Sequence, residues 1–136
     1  MFILLGGFLS TCAQIPMGYS TKSNKAIKLF EKGRNAPADF ANEVTGKPNY
    51  KEGIRILKQA VSKDPRFWEA QLLLGEFYEY SMNYPEAIHQ YELALELNPF
   101  HSSSGATYCY LANLNLALGN YSETIKYCNI FLKNPK

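Results

Sequence analysis

The sequence predicts an all-α fold made of consecutive antiparallel helix pairs. The string Asn-Tyr-x-Glu begins at Asn49, Asn83 and Asn120, at intervals of 34 and 37 residues. An Asx-Pro pair begins 14 or 15 residues after the Asn of each string. Between string and Pro, apolar residues recur at the three- and four-residue spacing of a helix. Self-similarity at a period of this length is typical of a helical repeat array.

The recurring strings also predict where the helices begin and end. The Asn side chain can cap a helix N-terminus, and the Glu three residues later can complete a capping box. Proline cannot continue a hydrogen-bonded helix, so each Asx-Pro predicts a helix end. One helix is therefore expected over about 50–63, with its equivalents after Asn83 and Asn120. A second helix fits between each stop and the next start, at about 65–81 and 104–118.

The middle repeat resembles the tetratricopeptide repeat (TPR). With Trp68 as first position, the family pattern falls on Leu74, Gly75, Tyr78, Ala87, Tyr91, Ala94 and Pro99. Gln71 departs from it at the large aromatic position. The resemblance implies a right-handed superhelix of about three repeats, in which Gly75 and Ala87 allow two helices to cross closely. Tyr78 and Tyr91 are then expected to fill the space beside that pair.

The flanking repeats are less regular. We expect a domain over 22–136 with repeats at about 22–65, 66–99 and 102–135. The first helix is expected over about 24–34, and residues 35–48 are interpreted as an insertion. In the last repeat, Asn115, Thr124 and Cys128 replace the usual Tyr, Ala and aromatic residue, and the turn is lengthened within 102–104.

Residues 1–11 are interpreted as a signal-peptide-like leader. Residues 2–9 form an uncharged apolar run that is too short to span a bilayer but suits the central part of an export signal. The following Leu-Ser-Thr-Cys resembles a bacterial lipobox, which implies lipidation of Cys12; residues 12–21 would be a tether. Thr11 and the absence of a basic residue before the run depart from that pattern. The alternative is a frayed hydrophobic N-terminus of a cytosolic protein.

Composition and motifs give no indication of catalysis. The chain has 136 residues and a net charge of +2, too small to indicate a nucleic-acid binder. His89 and His101 have no ligand-spaced partner and are expected on the surface. Cys109 and Cys128 are expected as two packed thiols or, in an exported protein, as a disulfide. We expect no enzyme, metal, cofactor or small-molecule substrate.

The TPR resemblance implies a protein or peptide ligand in a concave groove. The family's groove positions fall on Glu69, Leu72, Glu76, Glu79 and Tyr80 in the middle repeat and on Asn113 and Leu116 in the last. Three Glu disfavour an anionic C-terminus as ligand, and only Asn113 matches the residues that grip one. These Glu residues can be interpreted either as part of an acidic binding groove or as an ordinary solvated helix face.

The whole arrangement is similar to the N-terminus of a group of Bacteroidetes outer-membrane lipoproteins. The similarity rests on the lipobox-like leader, the tether and Lys-Ala-Ile-Lys-Leu-Phe at 25–30 leading into the repeats. In that group a β-propeller and an OmpA-like peptidoglycan-binding domain follow, and some members serve type IX secretion. The resemblance implies a scaffold at the periplasmic face of the outer membrane. The alternative function is a soluble cytosolic TPR adaptor.

Overall fold

Six α-helices form the protein in a computed structural model that describes residues 18–133. They are α1 (Asn24–Asp39), α2 (Tyr50–Lys63), α3 (Trp68–Tyr80), α4 (Tyr84–Leu97), α5 (Ser104–Ala117) and α6 (Tyr121–Lys133). No strand occurs within this range, so the predicted all-α fold is confirmed. Within it, no helix is both long and apolar enough to cross a membrane. The predicted leader and Cys12 lie outside the described residues.

Successive helices pack as antiparallel pairs, α1 with α2, α3 with α4 and α5 with α6, and each pair stacks on the next. Two apolar cores result. One is built around Phe30, Leu57 and Phe77, and the other around Tyr91 and Leu111. Tyr78 packs against both, as expected for a residue between two repeats.

The close crossing predicted at Gly75 is present. A Cβ built on Gly75 would lie 2.6 Å from the Tyr91 ring, and Ala87 is completely buried. The equivalent position in the first pair is Gly33, whose Cβ would lie 2.8 Å from Leu57. Small residues on the odd-numbered helix thus face large ones on its partner in both pairs.

The prediction for the first helix was too short. α1 continues five residues beyond Arg34 to Asp39 and includes Pro37 in its last turn. Pro37 has no N–H to donate to the Gly33 carbonyl, and the helix nevertheless continues for one more turn, in which the Phe40 N–H donates to Ala36. The loop that remains of the expected insertion is held by Asn42, whose side-chain oxygen accepts from Val44 and Thr45.

The capping prediction holds at one of its three sites. The Asn49 side chain accepts from the Glu52 N–H at 3.3 Å, whereas Asn83 makes no side-chain cap bond. At Asn120 the side-chain amide donates to the Asn115 side chain. The reciprocal capping box is wrong throughout, because the backbone N–H of each Asn donates to a backbone carbonyl of the preceding segment.

At two of the connections between helices, the backbone N–H of the Asn takes part in a Schellman motif that ends the preceding helix. The Asn83 N–H donates to Tyr78 and the Met82 N–H to Glu79, while Met82 adopts a positive φ of 59°. The α5–α6 joint repeats the pattern with Gly119 at a φ of 77°. Each of these Asn residues therefore ends one helix and begins the next.

The N-terminal segment departs from the predicted tether. The Tyr19 ring packs against Phe30 and Phe67, with centroids 5.3 and 5.7 Å apart, and its hydroxyl hydrogen-bonds Glu31. Thr21 is buried. Residues 19–21 therefore pack against the first core, which the Tyr19 ring helps to complete.

Candidate functional site

The groove face comprises the side chains of α3 and α5 at the groove positions given above. α3 supplies most of it, because Glu69, Leu72, Glu76, Glu79 and Tyr80 project from successive turns of one helix. Leu72 is half-buried against the second core and so contributes to packing as well. The groove face therefore combines the partly buried apolar side chain of Leu72 with the carboxylates of α3.

Aromatic rings line the C-terminal end of α3. Tyr80 is 61% exposed and packs on Tyr50 of α2, with centroids 5.1 Å apart. Tyr110 of α5 is stacked on Tyr91 at 5.7 Å and keeps 39% of its surface exposed. The exposed rings stand beside the carboxylates, where they can contact a cation or an apolar side chain.

Glu76 and Glu79 form the charged part of the face. Both are half-buried. Burial raises the pKa of Glu76, and the neighbouring Glu79 charge raises it further. The Tyr91 hydroxyl donates to Glu79 at 2.7 Å, and burial together with this bond raises the Tyr91 pKa far above its usual value. Neither Glu has an ion-pair partner among residues 18–133.

Glu69 lies apart from this cluster and is already engaged. Ser20 donates to its carboxylate from the backbone N–H at 2.9 Å and from the hydroxyl at 2.5 Å. The segment before α1 therefore covers this end of the groove face. Of the three Glu predicted to line a groove, Glu69 is thus the one that the segment before α1 contacts.

His101 was expected on the surface, and that prediction is wrong. It is buried and stacked on Trp68, with centroids 4.6 Å apart. Its Nδ1 accepts from the Ser103 N–H, and burial lowers its pKa. The loop before α5 folds back onto the start of α3 and brings the imidazole there. His89 is exposed, as predicted.

The two predicted groove residues of α5, Asn113 and Leu116, have different surroundings. Leu116 is exposed, whereas Asn113 lines an apolar cavity of about 270 Å³ together with Tyr108, Ala112, Phe131, Leu132 and both thiols. Cys109 and Cys128 are free, so the disulfide alternative is not formed. No α3 residue lines this cavity.

Sequence reasoning missed Tyr50 and Tyr110 as members of the site. Tyr50 belongs to the recurring Asn-Tyr-x-Glu string, which was interpreted only as a helix start. Its contact with Tyr80 depends on how α2 packs against α3, and no local pattern encodes that. Among the described residues, no group of three or more potential ligands could hold a metal ion.

Comparison with solved structures establishes a TPR-type helical solenoid. A crystal structure of MamA, a TPR protein, superposes with a TM-score of 0.66 at 20% identity, over 80% of this chain and 57% of that one. A second MamA structure (AMB-1) gives a TM-score of 0.57 at 19% identity, over 63% and 45%. The matched region is thus about half the length of those proteins. No protein-family model matches the sequence, and no curated protein is similar to it.

Proposed function

We propose that this protein is a non-catalytic scaffold that binds a protein partner through a basic, partly apolar segment. The observation that carries the proposal is the pair Glu76 and Glu79 beside the exposed Tyr80 ring. Two carboxylates that have no ion-pair partner within residues 18–133 favour Lys or Arg in a ligand. The ring and Leu116 offer apolar contact for the side-chain stems.

Charge and apolar contact are expected to act on different steps. Attraction between separated charges accelerates association and is screened as salt rises. Apolar contact with Tyr80 and Leu116 mainly prolongs the complex. Because the Glu76 pKa is raised, acidification protonates this group earlier than an ordinary Glu. Binding should therefore weaken on acidification at a higher pH than it would with an ordinary Glu at this position.

The test requires neutral variants rather than charge reversal. Replacing both Glu by Lys would disturb the fold as well as the charge, since both are half-buried and Glu79 accepts from the buried Tyr91 hydroxyl. Glu76→Gln and Glu79→Gln keep the size of the side chain and an oxygen acceptor for Tyr91.

The experiment is a pull-down from envelope extract, followed by association kinetics at low and high salt. We expect the double Gln variant to associate several-fold more slowly at low salt and to show a weaker salt dependence. The matched control is Glu86→Gln on α4, an exposed Glu away from the groove face. Equal association rates for wild type and the double variant would place the contact elsewhere.

We further propose that the scaffold is anchored by a lipid on Cys12 at the periplasmic face of the outer membrane. The support is the lipobox-like sequence and the similarity to Bacteroidetes lipoproteins of type IX secretion and OmpA-like assemblies. Labelling with a palmitate analogue should be lost in Cys12→Ala. Wild-type protein that takes up no label in its native host, and is recovered in the soluble cytosolic fraction, would favour the cytosolic adaptor instead.

A further inference from the structure

A pocket of about 320 Å³ opens between α2, α3 and α4, on the other side of α3 from the groove face. From α3 it is lined by Gln71, Leu74 and Tyr78, whose spacing of three and four residues places them on one helix face. The groove residues of α3 occupy other positions of that helix, and none of them lines this pocket. It is called the Gln71 pocket below.

Gln71 brings an unsatisfied hydrogen-bond acceptor to this pocket. The residue is only 5% exposed, and its Oε1 has no hydrogen-bond partner within residues 18–133. Its Nε2 donates to the Pro65 carbonyl at 3.5 Å, the long limit for such a bond, so the amide is held loosely and can turn toward a ligand. A buried acceptor without a donor costs free energy. A ligand that carries an N–H or O–H group into the pocket therefore gains by donating to Gln71.

The last helix pair shows what kind of side chain packs at this place in the repeat. Gln71 of α3 corresponds to Tyr108 of α5, 37 residues later. Gln90 of α4 also lines the pocket and corresponds to Tyr127 of α6 by the same offset. These two Tyr rings are stacked, with centroids 6.3 Å apart. The pocket beside them is lined by the rings themselves and does not reach the buried Leu111, whereas the equivalent leucine of α3 lines the Gln71 pocket. Two glutamines thus leave open in the middle pair what two phenol rings close in the last.

The polar groups of the pocket suit the hydroxyl of such a ring. In the last pair, the Tyr127 hydroxyl donates to Glu92 of α4. The equivalent of Glu92, 34 residues earlier, is Lys58, which lines the Gln71 pocket. A carboxylate accepts a hydrogen bond and an ammonium donates one, whereas a phenol hydroxyl does both. A phenol hydroxyl can therefore donate to Gln71 and accept from Lys58, which an unsubstituted ring cannot do.

We propose that the Gln71 pocket binds the tyrosine side chain of a partner protein. The ring packs against Leu74 and Leu93, and its hydroxyl hydrogen-bonds Gln71. The volume is sufficient, because an apolar cavity of about 150 Å³ already accommodates benzene. Residues 1–17 and 134–136 contain no Tyr, so these segments do not supply the ring. The site is separate from the groove face and does not require that the groove binds a ligand.

The test is an NMR titration of the isotope-labelled chain under reducing conditions. The ligand is N-acetyl-L-tyrosinamide, which presents a tyrosine side chain between two peptide groups. The matched ligand is N-acetyl-L-phenylalaninamide, which lacks only the hydroxyl. We expect the tyrosine ligand to shift the side-chain amide signals of Gln71 and Gln90, with a dissociation constant in the millimolar range that suits a single residue. The phenylalanine ligand should bind several-fold more weakly, because it leaves the Gln71 acceptor unsatisfied.

Three variants separate this site from unspecific binding of a ring. Gln71→Leu removes the acceptor and should bring the two ligands to equal affinity. Gln90→Tyr places a ring in the pocket, as Tyr127 does in the last pair, and should weaken binding of the tyrosine ligand at least about tenfold. Its matched control is Gln59→Tyr, which adds the same ring at an exposed position of α2 outside the pocket and should bind like wild type. Circular dichroism checks the fold of each variant; if Gln71→Leu does not fold, the two ligands on wild type and Gln90→Tyr still decide the outcome.

Absence of shift changes at Gln71 in the presence of excess tyrosine ligand would overturn the proposal. Equal affinity of wild type for the two ligands, or undiminished binding to Gln90→Tyr, would overturn it as well. Shift changes centred on Cys109 and Cys128 would do the same by assigning the ring to the cavity of the last pair. Pocket signals that move with protein concentration in the absence of ligand would overturn the partner as the source, since a tyrosine of a second copy would then occupy the site.

Discussion

Replacing Gly75 by Ala gives the sharpest test of how the middle pair is packed. The added Cβ would lie 2.6 and 2.7 Å from two atoms of the Tyr91 ring, whereas ordinary contact is 3.4–4 Å. The helices would have to separate by roughly 1 Å. The ring cannot swing aside, because it is completely buried, stacked on Tyr110 and bonded through its hydroxyl to Glu79.

Two opposing terms set the size of the effect. Overpacking a core costs about 1–3 kcal/mol, whereas Ala is favoured over Gly in a helix by about 1 kcal/mol. Since the neighbouring ring is held on several sides, overpacking should dominate. We expect Gly75→Ala to lower the free energy of unfolding by about 1–2 kcal/mol.

The chain itself supplies the compensating change. In the last pair the equivalents of Gly75 and Tyr91 are Ala112 and Cys128, so a larger residue on α5 faces a smaller one on α6. Tyr91→Cys alone should cost about 3 kcal/mol or more through the cavity that it leaves. In that background the clash is gone, and Gly75→Ala should stabilise the fold by about 0.5–1 kcal/mol.

The assay is urea unfolding under reducing conditions, followed by circular dichroism. It is applied to wild type, Gly75→Ala, Tyr91→Cys and the double variant. A change of sign between the two backgrounds corresponds to a coupling of at least about 1 kcal/mol. Additive effects within about 0.5 kcal/mol would refute the reasoning, since they would mean that Gly75 and Tyr91 do not compete for space.

Three further outcomes follow from helix ends and buried groups. Met82→Gly should raise the free energy of unfolding by about 1 kcal/mol in urea titrations, because an exposed non-glycine residue holds a positive φ there. In the same assay, Asn49→Ala should lower the free energy of unfolding by about 1 kcal/mol and Asn83→Ala by much less, because of these two residues only Asn49 caps its helix with its side chain. Equal losses would contradict this. Burial lowers the His101 pKa below 6.5, so the unfolded chain takes up this proton first and stability is lost as pH falls below about 6.5. Thermal unfolding followed by Trp68 fluorescence should show this loss, and His101→Gln should reduce it, although the Glu69 charge partly opposes the pKa shift.

The sequence by itself determined the number of helices, their class and most of their ends. This was possible because the apolar spacing and the Pro residues are local signals that recur with the repeat. Gly75 and Ala87 could be assigned to a close crossing for the same reason, since the pattern places them at fixed positions in the pair. The end of α1 was missed because residues 35–48, which include Pro37, were interpreted as an insertion, whereas the helix continues through Pro37 to Asp39.

Only the tertiary structure decided which groups meet across helices. Asn83 and Asn120 were expected as side-chain caps, yet their backbone N–H groups donate to the last turn of the preceding helix. The connections are so short that one residue both ends a helix and begins the next. Burial of His101, engagement of Glu69 by Ser20 and the contact of Tyr50 with Tyr80 join residues at least 20 positions apart. Such contacts depend on the rotation and translation between neighbouring helix pairs, and periodicity along the chain carries no information about those two quantities.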